Sequence, residues 1–227
     1  MITLSTSADI IQQFEKGAIT NQISSIEAIL KGRDRAACEE VFPELGISTN
    51  LLDAALVLKK VAGQVNVLIH SIGILTLLPH ILRADETIES LSLGAGNTGK
   101  LFDLETNYRI AEFKFIHWRG GAEAIRQNSL FKDFFLMAEH ATNKEKYLYV
   151  LGLEHPLHFL RGGRALSSVM SRNNKLWADY QRRYGNRYKT VCEYYEQRKS
   201  EVKLVDLTEF LPQFTGNDES REENEGI

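Results

Sequence analysis

Ile110-Ala111-Glu112-Phe113-Lys114-Phe115-Ile116 is the stretch on which the reading of the fold turns. A strand this apolar belongs in the middle of a sheet, covered on both faces. Yet Glu112 and Lys114 stand two residues apart within it, and strand alternation puts both on one face. Burying them is expensive unless they are paired or hold a metal ion.

The sequence just upstream supplies the pairing. Lys100–Glu105 and Tyr108–Trp118 read as strands around a tight turn at Thr106-Asn107. A two-residue turn there sets Glu105 opposite Tyr108 and Asp103 opposite Ile110. Asp103, Ile110, Glu112 and Lys114 then line one face, while Phe102, Leu104, Ala111, Phe113 and Phe115 line the other. Asp103 and Glu112 become diagonal neighbours within reach of one cation. Two such acids suit Mg²⁺, which takes one or two carboxylates and leaves its other positions to water and phosphate. The Lys114 ammonium beside them can hold an attacking water or phosphate charge. A plainer reading of the same residues is an internal Glu112–Lys114 pair with Asp103 as a turn acid.

Farther out, Thr87–Leu93 alternates, with Ile88, Leu91 and Leu93 among polar neighbours, and Gly94–Gly99 reads as a loop. Before it, Leu51–Leu82 is a long apolar helical pattern, with Gly63 or Gly73 as break points and Pro79 as its close. Its breadth predicts burial on several sides, against the core, the N-terminal helices or a second subunit, so a homodimer is one expectation. After the central strand, Gly120-Gly121 releases the chain into a helix ending near Ala141. Tyr147–Leu151 is a short buried strand, helices fill 161–198, and Val202–Leu207 is a last edge strand. Near the N-terminus, Ser7 and Asp9 can cap Ile10–Ala18, and Ser24 or Ser25 can cap the segment up to Val41. Pro43, Gly46 and Ser48-Thr49-Asn50 mark a loop and a fresh cap. The order helix, three strands, helix, strand predicts an α/β sandwich. Three regions follow: an N-terminal helical appendage (1–50), an α/β core with C-terminal helices (51–215) and a disordered acidic tail (216–227).

Asp103…Glu112-Phe113-Lys114 resembles the signature of the PD-(D/E)XK nuclease superfamily, and the elements from 51 to 152 resemble its restriction-endonuclease-like αβββαβ core. The resemblance implies a metal-dependent phosphodiester hydrolase acting on nucleic acid, DNA more than RNA. Asp103 and Glu112 would bind Mg²⁺, with Mn²⁺ as a substitute, the Phe113 carbonyl would add a third ligand, and Lys114 would orient or activate water. Phe102 stands where the motif's name has proline. Gln127, Leu130, Phe131, Phe134 and Ala138 fall at helical spacing, so Gln127 joins a buried stripe and needs a partner. Gln127-Asn-Ser-Leu-Phe131 is similar to the Q-x-x-x-Y of the RecB-like branch, with Phe for Tyr, which adds Gln127 to the catalytic set. The family often carries an acid on its first helix; between Leu51 and Leu82 the only one here is Asp53.

Composition bounds the alternatives. The chain is 43% hydrophobic and 25% charged over 227 residues, ordinary for one globular core. Cys38 and Cys192 form no metal-binding or disulfide framework spacing. The apolar run Val65–Leu78 is short and interrupted by Asn66, His70, Ser71 and Thr76, so a buried helix is expected rather than a membrane span. With no signal-peptide pattern at the start, a cytoplasmic protein is expected. Residues 159–200 carry ten basic and three acidic groups inside a chain of net charge −3, the footprint of a phosphate-rich partner. Lys100, Arg119, Arg126, Arg161 and Arg164, near the acids in sequence, are the candidate backbone contacts. Arg182, Arg183 and Lys189 form a second basic face, solvated by default. Trp177, Tyr180, Tyr184, Tyr188, Val191 and Tyr195 repeat at helical spacing and read as a core-facing stripe rather than a base-stacking one.

Three further signals compete. Gly94-Ala95-Gly96-Asn97-Thr98-Gly99-Lys100 fits a phosphate-loop spacing, but Leu101 lacks the hydroxyl such a loop needs for Mg²⁺. Nucleotide binding at Lys100 therefore requires a helix starting at Leu101. His117 points to the face away from Lys114 if the strand continues, and His155 precedes a proline in a turn. A catalytically inactive, nucleic-acid-binding module is the other alternative.

Overall fold

The computed structural model describes residues 2–15, 17–94, 99–116, 118 and 123–212. The described residues divide into two compact units, 2–66 and 67–212, so the division falls inside one helix. Among the described residues the structure is mixed α/β, with nine helices and a five-stranded sheet.

The first unit holds helices α1 (Leu4–Phe14), α2 (Ile19–Leu30), α3 (Arg35–Val41) and the start of α4 (Thr49–Ile81). The caps are not those the sequence suggests: α1 starts before Ser7, α2 starts after Ala18 with no side-chain cap, and α3 is a separate helix with its own cap. Thr3 caps α1 by accepting from the Thr6 N–H, and Asp34 caps α3 by accepting from the Ala37 N–H. Ser48 does cap the next helix, its Oγ accepting from the Leu51 N–H at 3.2 Å.

The second unit contains the sheet: β1 (Ile88–Leu91), β2 (Leu104–Thr106), β3 (Arg109–Lys114), then helix α5 (Ala124–Glu139), β4 (Glu145–Val150), helices α6 (Glu154–Leu160), α7 (Leu166–Met170), α8 (Asn174–Tyr184) and α9 (Val191–Arg198), and β5 (Lys203–Asp206). The strands lie in the order β1-β2-β3-β4-β5. β1, β2 and β3 pair antiparallel, whereas β3–β4 and β4–β5 are parallel. A parallel neighbour needs a crossover, which α5 provides between β3 and β4. β5 is the edge strand expected near Val202–Leu207. The helix–three strands–helix–strand order thus holds, with shorter strands than the sequence suggests.

The hairpin register corrects the sequence reading. Leu104 pairs with Ala111 and Glu105 with Ile110, so the turn centres on Asn107-Tyr108 and not on Thr106-Asn107. The reason is Thr106, whose Oγ accepts from the N–H groups of Tyr108 (3.0 Å) and Arg109 (2.9 Å) and draws the turn one residue later. The pairing moves by two residues, and a two-residue shift leaves every side chain on its face. Continued outward, this register sets Asp103 directly opposite Glu112 instead of diagonal to it.

Both faces of the sheet are covered. Leu104, Ala111, Phe113 and Tyr149 pack with Ile74, Leu77, Leu78 and Ile81 of α4. Ile110, Leu148 and Val150 pack with α5 and the C-terminal helices. Phe102 belongs to this second cluster, not to the Phe113 face, because Leu101–Asp103 bend before β2 begins and alternation does not reach it. The aromatic repeat serves the same core. Gly185 ends α8, Tyr180 and Val191 are wholly buried, and Trp177, Tyr184 and Tyr188 pack around them.

Helix α4 differs from expectation twice. It runs unbroken past Gly63, Gly73 and Pro79. Gly73 is required by packing, since a Cβ there would lie 2.5 Å from the Phe115 ring. Within a single chain the predicted burial on several sides is not found among the described residues, because Leu68 and Ile72 are 58% and 55% exposed, and the second-subunit alternative is untouched by this. By length and composition this helix alone, among the described residues, is long and apolar enough to cross a membrane.

Candidate active site

Glu112 and Lys114 point from β3 toward α5, and Asp103 reaches the same place from the bend before β2. Asp103 is fixed by backbone: its Oδ2 accepts from the Phe113 N–H at 3.0 Å, and its carbonyl accepts from the Ser92 N–H at 2.7 Å. The Asp103 carboxylate lies near enough to Glu112 to raise its pKa. Lys114 Nζ lies 3.8 Å from Glu112 Oε2. The three residues inferred from alternation therefore do converge, with side chains only 13–28% exposed.

Two further groups complete the cluster. Asp133 comes from α5, its carboxylate in close ion contact with Lys114 and 3.8 Å from Lys132 Nζ. His70 comes from α4, its Nε2 3.4 Å from Asp103 Oδ1 and without a hydrogen-bond partner among the described residues. Its ring stands edge-on to Phe115 at 5.8 Å. The first-helix position near the site is therefore held by His70; Asp53 is exposed in the other unit.

The sequence reading missed both. Asp133 lies off the Gln127–Ala138 stripe, on a flank buried only because α5 is covered on more than one side. The available signal was a carboxylate inside the run Leu130-Phe131-Lys132-Asp133-Phe134-Phe135, the same anomaly that marks Glu112. For His70 the signal was a lone imidazole interrupting Val65–Leu78.

The charge balance is uneven. Three carboxylates crowd the Lys114 ammonium, and the only other one among the described residues, on half-exposed Lys132, reaches Asp133 alone. Burial first, and then Asp133 and Asp103, push the Glu112 carboxyl up to about 8, against the opposing pull of Lys114. Burial pushes the Lys114 ammonium down, but Asp133 and Glu112 outweigh it and hold its pKa above the ordinary lysine value. Glu112 thus keeps a proton near neutrality. The donor chemistry fits a hard divalent cation, whose two positive charges would replace that proton. Among the described residues no group of three or more His, Cys, Asp and Glu side chains stands as a ready-made metal cage. A cation here would draw on two acids, backbone and solvent, as Mg²⁺ usually does.

The other candidates separate. Gln127 finds its partner in Arg164, whose guanidinium donates to Gln127 Oε1. That contact occupies Arg164, which the sequence reading left for a phosphate backbone. Arg126 is likewise paired with Glu123. Lys100, though exposed, donates to the Leu91 carbonyl. Arg161 is exposed at the end of α6. Arg119 and His117 lie outside the described residues, as do residues 95–98 of the glycine-rich loop and the 216–227 tail. Leu101–Asp103 are bends leading to a strand, so no helix begins after Lys100 and the phosphate-loop requirement is unmet. His155 is part of α6. In the second basic face Arg182 and Arg183 both pair with Asp179, which leaves less free positive charge than the sequence count suggests.

No family model, curated protein or solved structure matches the chain.

Proposed function

We propose that the chain is a Mg²⁺-dependent phosphodiesterase of the PD-(D/E)XK type, a nuclease acting on DNA in preference to RNA, built on a restriction-endonuclease-like core. One observation carries this reading: two largely buried carboxylates, Glu112 on β3 and Asp103 at the bend before β2, stand together beside a lysine. Two acids without a second counter-charge are poor structural chemistry and good cation chemistry. Asp103 and Glu112 would hold the ion, with the Phe113 carbonyl as a third oxygen and His70 Nε2 as a neighbouring donor. Mg²⁺, when bound, would supply charge neutralisation for the phosphodiester and lower the pKa of an attacking water.

The protein's own groups do the rest. Lys114 is charged, so it acts as a donor that orients water or phosphate and stabilises developing negative charge, rather than as a neutral base. Gln127, steered by Arg164, stands on the same helix as Asp133. Exposed Arg161, together with Arg119, would grip a nucleic-acid backbone. A cytoplasmic location accords with this reading, because the last turns of α4 are committed to the sheet.

The test is cleavage of single- and double-stranded DNA, with Mg²⁺ or Mn²⁺, by wild type and by Asp103→Ala, Glu112→Ala and Lys114→Ala. Each substitution should lower the rate by about 10²-fold or more, as does removal of a principal electrostatic stabiliser. Equal activity in all four proteins, or metal-independent cleavage, would refute the assignment.

The close pairing of Lys114 with Asp133 favours a second reading, in which the scaffold binds nucleic acid without cutting it. That version predicts DNA affinity that survives Lys114→Ala, with no cleavage under either metal.

A further inference from the structure

Asp133 has no place in the signature that singled out Asp103, Glu112 and Lys114, yet it makes the closest contact with the lysine. The residue is 6% exposed on α5, between Phe131 and Phe134, which are both wholly buried. A carboxylate in such surroundings is retained only with a partner. Its closer partner is Lys114, half-exposed Lys132 standing 3.8 Å away; Lys114 in turn is held nearer to Asp133 than to Glu112, whose Oε2 stands 3.8 Å from Nζ. Lys114 is the last residue of β3, so its long side chain is anchored by the sheet at one end only. Four freely rotating side-chain bonds would otherwise let the ammonium leave the acids. The carboxylate on the crossover helix therefore ties the free end.

We propose that Asp133 is a positioning residue: through its ion contact with Lys114 it fixes the ammonium beside Glu112 and couples α5 to the reacting end of β3. The consequence for activity rests on the nuclease reading above; the placement of Lys114 does not. Asp133 need not touch substrate. Its effect falls on turnover rather than on substrate binding, since misplacement of a reacting group by about 1 Å can cost on the order of 10²-fold in rate.

Two readouts test this on the full chain. The first is lysine acetylation by an amine-reactive ester, mapped residue by residue by mass spectrometry, without metal or DNA. Lys114 should react at least tenfold faster in Asp133→Asn than in wild type, while Lys144 and Lys146 keep their wild-type rates. Asp133→Glu should restore the protection. The second is DNA cleavage with Mg²⁺: Asp133→Asn should lower kcat by about 10²-fold and leave KM within threefold. Asp133→Glu should recover a large part of the loss. If Asp133→Asn does not fold, Asp133→Ser takes its place in both measurements.

Unchanged Lys114 acetylation in the folded variant would overturn the proposal, as would acetylation rising together at Lys114, Lys144 and Lys146, which marks general loosening. A loss that Asp133→Glu does not relieve would do the same. Absence of cleavage by wild type would sink the nuclease reading alone, and the acetylation pattern would still decide the role of Asp133.

Discussion

The two ends of β3 each bury charge, and they do so in opposite ways. At the first residue, Arg109 meets Glu86 through two hydrogen bonds, Nε to Oε1 at 2.5 Å and Nη2 to Oε2 at 2.6 Å. Thr106 Oγ adds a hydrogen bond to Glu86 Oε1 at 2.7 Å, and Arg109 Nη1 donates to Tyr149 Oη at 3.2 Å. Burial alone would raise the Glu86 pKa, yet the Arg109 and Thr106 contacts outweigh it and hold the carboxylate below its ordinary range. One acid, one base and saturated hydrogen bonding make a staple. At the last residue, three carboxylates crowd the Lys114 ammonium, half-exposed Lys132 reaches only Asp133, and Glu112 is driven the other way, to about 8. The contrast separates charge buried for structure from charge buried for chemistry: the first is matched within the protein, the second is left short of positive charge.

The largest expected effect lies at the stapled end. Glu86→Ala should destabilise the fold by about 3–5 kcal/mol, the usual consequence of orphaning one member of a buried ion pair, as read by denaturant unfolding. Glu112→Ala should lose far less stability under the same measurement. If the two lose equally, the distinction between the ends fails.

At the crowded end the large effect is on rate. A 10²-fold drop in DNA cleavage for Asp103→Ala corresponds to about 2.7 kcal/mol of transition-state stabilisation. Arg109→Lys should leave the Mg²⁺-dependent rate of the folded fraction near wild type, since the stapled pair touches none of the three acting side chains. Thermal melts with added Mg²⁺ sharpen the same point without an activity assay. At roughly 100 times its Kd the ion should add about 2.7 kcal/mol to wild-type stability. The gain should vanish in an Asp103→Asn, Glu112→Gln double variant and persist when Arg109 is changed to lysine.

The smallest effect is a pH slope. Folding lifts the Glu112 pKa from an ordinary 4.5 to about 8, so the folded state binds the proton more tightly than the unfolded one. The resulting stability is complete below about pH 4.5 and is lost as pH rises through about 8. Metal-free wild type should therefore melt at falling temperature across that window. Glu112→Gln should flatten this contribution and raise the melting temperature at pH 8, by roughly 2–4 °C for each kcal/mol of repulsion relieved. An equal slope in both proteins would mean that Glu112 does not carry the excess charge.

Much of the sheet was legible beforehand because alternation is a local property. Glu112 and Lys114 share a face whatever pairs with them, and Asp103 joined them although the predicted turn was one residue early. A register shifted by two residues preserves sidedness, so the wrong turn still led to the right trio. Sidedness is lost at Phe102, where the chain bends and the two-residue period stops.

What the amino-acid order determined by itself was therefore the element sequence, the sidedness of β3 and the anomaly of acids in an apolar strand. Tertiary structure alone decided which distant groups answer that anomaly. His70 stands 33 residues before Asp103, and Asp133 stands 19 after Lys114, so only the docking of α4 and α5 on opposite faces of the sheet delivers them. It also decided that Arg164 reaches Gln127 and that Leu68 and Ile72 of α4 stay exposed. The physical reason is range: hydrophobic period is written within a few residues, whereas charge pairing and burial depend on which surfaces meet once the chain has collapsed.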